Sequence, residues 1–183
     1  MSSCYISEGY SLDCRNASVG GVKAIWILGD SGNTITSWAQ NAEEQITSIS
    51  GTGTFYKFEL VKQSSSFSEG ITVNTTAQSV VFEPTVTLNL PRLDSGLRNL
   101  FQSLVAQNNI FAIVKDNNDR YWSVAFANGA LVTGGNIQTG LAYNDLNGLN
   151  AMTIVGGEPN ASQEILVTTD LAAVMSGITV SAE

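Results

Sequence analysis

Three neighbouring stretches decide the fold: residues 54–62, TFYKFELVK; residues 67–75, FSEGITVNT; and residues 80–90, VVFEPTVTLNL. In the first, Tyr56, Phe58 and Leu60 fall on one face and Lys57 and Glu59 on the other. In the second, Phe67, Glu69, Ile71 and Val73 alternate with Ser68, Gly70, Thr72 and Asn74. In the third, Val80, Phe82, Val86, Leu88 and Leu90 alternate with Glu83, Thr85, Thr87 and Asn89. A period of two belongs to strands, whose successive side chains point to opposite faces. Pro84 occupies the apolar register and cannot donate to a ladder, which predicts a bulge or an edge position. The strands are long for a small domain. They predict a hairpin projecting beyond the body of the fold, with Gln63-Ser64-Ser65-Ser66 as a flexible joint.

Outward from this centre, the spacing of Leu97, Leu100, Phe101, Leu104 and Val105 predicts a single helix over about 94–107, with Asp94 as N-cap and Asn108-Asn109 as stop. Its one apolar stripe requires an open sheet face or barrel end to pack on. Residues 110–114 and 121–126 form a hairpin around Asp116-Asn117-Asn118-Asp119, and Asn128-Gly129 turns the chain into 130–133. Residues 141–144 and 149–155 repeat that design around Asp145-Leu146-Asn147-Gly148. Residues 22–28, VKAIWIL, read as a strand closed by a turn at 29–32, and weaker strands are expected at 34–38 and 45–49. The expected organisation is an N-terminal arm over 1–20, one β domain over 21–164, and a C-terminal strand or tail over 165–183. The fold class is mainly β: a small barrel or sandwich with a long projecting hairpin and one flanking α-helix.

Composition agrees. Of 183 residues 43% are hydrophobic and only 13% charged, and the polar positions are dominated by Ser, Thr, Asn and Gly, the vocabulary of strands and turns. The net charge is −8, and all eight basic residues lie at or before Arg120. That distribution argues against duplex binding, which needs clustered Lys and Arg, while an acidic surface suits DNA that must slide past without sticking. Residues 1–8 carry neither a basic stretch nor an apolar run of the signal-peptide type, and no apolar run is long enough to span a bilayer. A cytoplasmic product is therefore expected. In that compartment Cys4 and Cys14 are expected as free thiols, and the sequons at Asn16, Asn74 and Asn160 stay unmodified.

Each motif with a chemical reading has a plainer one. Gly29-Asp30-Ser31-Gly32 matches the surroundings of a protease serine, but the chain has no His to serve as base, and a β-turn uses the same residues. Asp116-Asn117-Asn118-Asp119 and Asp145-Leu146-Asn147-Gly148 are oxygen-rich, yet neither continues into a calcium loop. Glu43-Glu44 reads as solvated surface, and Gly156-Gly157 opens onto Glu158-Pro159 rather than onto a phosphate-binding helix. Among Trp26, Trp38, Trp122, Tyr121 and Tyr143, only Trp38 lies in a segment polar enough for exposure. No catalytic residue, metal site or cofactor is expected.

The succession of long alternating strands over 54–90, one amphipathic helix and then compact hairpins resembles tail tube proteins of long-tailed phages. The stretches CYISEGYSLDC, GGVKAIWI, FYKFEL, SFSEGITVN, IFAIVKDNNDRYW and QTGLAYNDLNGLNAMTIVGGEP are similar in wording to structural proteins of Bacteroidetes-infecting phages, over most of residues 4–162. The resemblance implies a virion structural protein, assembled in the host cytoplasm and located in the tail, whose copies form stacked hexameric rings around a DNA conduit. Its implied partners are copies of itself and other tail or neck proteins, with DNA passing through without specific binding and no membrane. Glu59, Glu69 and Glu83 are then the candidate inward carboxylates. The segment 63–77 and the arm would be shaped by neighbouring subunits. The alternatives are a neck, tail-terminator or head decoration protein and, from another class, a carbohydrate-binding or adhesive β-sandwich.

Overall fold

The computed structural model describes residues 19–29, 32–61, 63–141 and 148–181. The fold is mainly β. In chain order it has β1 (Val22–Gly29), β2 (Thr34–Gln40), β3 (Ile46–Glu59), β4 (Ser66–Asn74), β5 (Ser79–Pro91), α1 (Ser95–Val105), β6 (Ile110–Asp116), β7 (Tyr121–Val124), β8 (Ala130–Gln138), β9 (Gly148–Gly156), β10 (Glu164–Ile165) and β11 (Met175–Val180). The expected arm, apart from Val19 and Gly20, lies outside the described residues, as do Asp30, Ser31, Tyr143 and most of the 145–148 turn.

β1 and β6 read as continuous apolar runs because both of their faces are covered. On one side Ile25, Ile27, Ala112 and Val114 belong to a core completed by Val86, Leu88, Leu90, Leu149, Met152 and Ile154. On the other, Ala24, Trp26, Leu28, Phe111 and Ile113 meet Ile46, Ile49, Phe55 and Ile165. The pairings explain the two cores. β1 pairs with β3 and β6, β3 with β10, β10 with β7, and β7 with β6, a closed circuit around the second core. A single residue pair, Ile110 with Ala130, links β6 to the antiparallel run β8–β9–β5–β4. The inner face of that run packs on the outside of β1 and β6 to make the first core.

The helix covers the same first core through Leu97, Leu100, Phe101 and the buried Leu104. Asp94 caps it as expected, accepting from the Leu97 amide at 2.7 Å. The stretch after 165 is a built-in strand: β11 runs parallel to β3, and Leu171, Val174 and Ile178 fill the second core.

Three local readings change. Residues 54–62 do not join the projecting hairpin, because the second half of β3 pairs with β1. There Phe58 and Leu60 pack on the first core as the alternation reads, but Tyr56 on the same face is 59% exposed and Phe55 on the other is fully buried. The strand serves two apolar environments, with Phe55 in the second core and Phe58 and Leu60 against the first, so alternation between them carries little contrast. Pro84, too, is neither at a bulge nor on an edge strand. It is paired in register with Glu69, and the pairs Thr85 with Val155 and Phe82 with Glu158 place it opposite Gly156. Its missing N–H coincides with the break between that ladder and the isolated bridge. Finally, the Ser64–Ser66 joint is held by its own domain: Ser65 is buried, its carbonyl accepts from the Val22 amide at 3.2 Å, and its hydroxyl accepts from the Asn89 amide at 3.2 Å. The Asn89 side chain also donates to the Ser64 carbonyl and accepts from the Ala151 amide.

Candidate assembly surface

The projecting hairpin is β4 and β5, in register over nine pairs from Ser66 with Thr87 to Asn74 with Ser79. Asn74 closes the tip by accepting from the Thr76 and Ala77 amides at 3.0 and 2.9 Å, the local preference that makes Asn a turn former. Gln78 follows in the left-handed region at φ 51°. Paired residues share a face, so Phe67 with Val86, Glu69 with Pro84, Ile71 with Phe82 and Val73 with Val80 form one continuous stripe. Near the body that stripe is core, with Val86 fully buried. Toward the tip it is open: Ile71 is 64% exposed, Val73 61% and Val80 46%. It overhangs a cleft of about 880 Å³ whose lining includes Val80, Phe82, Trp122, Glu43, Glu44 and Glu164.

Two carboxylates fix the root. Glu69 accepts from the amide and hydroxyl of Ser162, both at 2.8 Å. Glu158 is buried and accepts from the Ala127 amide at 3.0 Å and the Asn128 amide at 2.8 Å, while its backbone exchanges both hydrogen bonds with Phe82. Burial pushes the Glu158 carboxyl above the usual glutamate range; the two amides pull the other way, and the charge of Glu69 adds to the rise. Nothing in the pattern Gly156-Gly157-Glu158-Pro159 marks this role, because a lone carboxylate after a strand has no periodicity to read.

The three candidate inward carboxylates are not brought together. Glu69 and Glu83 belong to opposite faces of the hairpin, since Glu69 pairs with Pro84 and Glu83 with Gly70. Glu59 lies on β3, is bound to Lys57 at 2.8 Å, and is held below its usual pKa by that ammonium. Glu83 is exposed and accepts from the Thr72 hydroxyl at 3.3 Å.

The Asp116 turn is occupied by its own chain. Asp116 accepts from the Asn118 and Arg120 amides at 2.8 and 2.9 Å and from the Trp122 indole at 3.3 Å. Asp119 pairs with Lys23 at 2.9 Å and Lys115 at 3.1 Å, which lower its pKa. Among the described residues no group of three metal-ligating side chains occurs, and no helix is long and apolar enough to cross a membrane. Two aromatic pairs serve packing: Trp26 is buried against Tyr121, with ring centroids 5.6 Å apart, and the half-buried Trp38 meets Phe126 edge-on at 6.1 Å. No protein-family model, curated protein or solved structure matches the chain.

Proposed function

We propose that this chain is a self-assembling structural subunit of a virion, and specifically a tail tube protein whose copies form stacked rings around a DNA path. The observation that carries the reading is the overhanging hairpin. An apolar stripe continuous with the core leaves the body on a strand whose outer side, among the described residues, ends the sheet, and isolated subunits rarely keep such an edge uncovered. Closing a ring of copies covers stripe and edge at once. The sparse charge, −8 overall, supports the same reading, because Ser-, Thr- and Asn-rich surfaces leave few charged groups to be desolvated in subunit contacts and an acidic lumen repels phosphate. Glu83, exposed on the polar face of the hairpin, is the best placed of the three carboxylates to face such a lumen, and Glu69 is a root residue instead.

Negative-stain microscopy and mass measurement of the purified chain test this directly. Rings of about six copies, stacking into short tubes at higher concentration, are expected. A stable monomer at every concentration, with no polymer in the presence of other virion components, would overturn it.

A further inference from the structure

We propose that residues 6–14 of a second copy of this chain add as a strand to the outer edge of β4. The inference rests on the reading of the chain as self-assembling, but not on the kind of assembly. Among the described residues β4 is the last strand of the sheet, and along its full length it has one partner, β5. The direction of its backbone groups follows from the hairpin. Phe82 exchanges both of its hydrogen bonds with Glu158, on the side away from β4, so its partner Ile71 turns its own N–H and C=O outward. By the period of two, Phe67, Glu69 and Val73 do the same. The edge carries none of the usual protection: SFSEGITVN has no Lys, no Pro and no register shift, and its one charge is drawn to Ser162. On the stripe side of this ladder stand the exposed Ile71 and Val73.

The occupant is argued from the chain that precedes Val19. In residues 6–14, Ile6, Tyr10, Leu12 and Cys14 alternate with Ser7, Gly9, Ser11 and Asp13, with Glu8 the one charge in the apolar register. That is strand patterning with one apolar face. Nine extended residues span about 30 Å, the length of the nine-residue β4. Such a strand, laid parallel to β4 with Cys14 beside Val73, would complete the ladder and set Leu12 beside Ile71 and Tyr10 beside Glu69 over the stripe, the mode of recognition in which main-chain bonds give affinity and alternate side chains give fit.

A donor from the same chain does not fit. The Val22 amide donates to the Ser65 carbonyl, and continuing that antiparallel register would set Asn16 opposite Ile71 and Cys14 opposite Val73. Tyr10 and Leu12 would then pass beyond the turn at Asn74. The register is also broken at its start. Gly21 has φ +105°, and Val19 is tied to the Asn118 side chain by bonds of 3.0 and 3.2 Å, at the turn between β6 and β7. A second copy is free of that register. Donation from each copy to the next is a head-to-tail contact, which closes into a ring or runs on as a filament.

The test uses the full-length chain and its native cysteines, both of which fall in the apolar register of the arm. Under mild oxidation Val73→Cys is expected to give a ladder of disulfide-linked dimers and higher species between differently tagged copies. The ladder should disappear when Cys4 and Cys14 are replaced by Ser, and should be absent in Thr72→Cys, whose side chain points to the other face. Ile71→Asp and Leu12→Asp, with the fold checked by circular dichroism, should each weaken association by about tenfold or more, the factor that burial of one aliphatic side chain is worth. Linkage confined within single chains, no linkage at all, or unchanged association of both Asp variants would overturn the proposal. If those variants still form rings of normal stability, strand donation is wrong and the tube reading stands. Strand-linked oligomers that never form rings would show the converse.

Discussion

Replacing Glu158 by Ala tests whether this buried carboxylate holds the root of the hairpin. The substitution removes the acceptor of two backbone amides, those of Ala127 and Asn128. Hydrogen bonds to a charged group contribute about 1.5–3 kcal/mol each, so the gross loss is about 3–6 kcal/mol. Burial of the carboxylate offsets part of this, as its raised pKa shows, and an adjoining space of about 50 Å³ gives water a way to reach the freed amides. A net destabilisation of about 2 kcal/mol is expected at neutral pH. For a chain of this size that lowers Tm by about 4–8 °C. The pH dependence has a definite sign. The folded state holds the Glu158 proton more tightly than the unfolded chain does, so its titration favours folding below the ordinary glutamate range. That contribution is lost as pH rises through the folded pKa. The advantage of wild type over Glu158→Ala should therefore be larger at acidic than at neutral pH, measured by urea unfolding across the range. An unchanged Tm, or an advantage that grows as pH rises, would refute the reasoning.

Two further predictions separate neighbouring residues and competing roles. Phe55→Ala should cost about 3–5 kcal/mol, as expected for emptying a filled core site, while Tyr56→Ala should stay within about 0.5 kcal/mol; equal effects in chemical denaturation would mean that the inside and outside of β3 are misassigned. Asp116→Ala should lower stability by about 1–3 kcal/mol through loss of its turn hydrogen bonds, and calcium should leave the wild-type Tm unchanged; a rise in Tm on adding calcium, abolished by the same substitution, would show that the turn binds the ion instead.

The elements themselves were legible in the amino-acid sequence wherever one face of an element meets the core and the other meets water. The alternation over β4 and β5, the helical spacing of Leu97, Leu100, Phe101 and Leu104 with its Asp94 cap, and the turn residues at 116–119 all have that contrast, and all are found. The absence of His likewise leaves the Gly29-Asp30-Ser31-Gly32 match without the base that the protease mechanism uses. Where both faces are apolar the contrast vanishes. β3 therefore looked like one arm of the hairpin, and its choice of β1 as partner and of Phe55 over Tyr56 for the interior came only with the closed circuit of pairings. Long-range polar contacts were equally invisible. The grip of Asn89 on the serine joint spans 24 and 25 residues, and that of Ser162 on Glu69 spans 93. No local pattern encodes a partner at such separations, so tertiary packing alone decided which carboxylate anchors the hairpin and which part of its apolar stripe stays exposed.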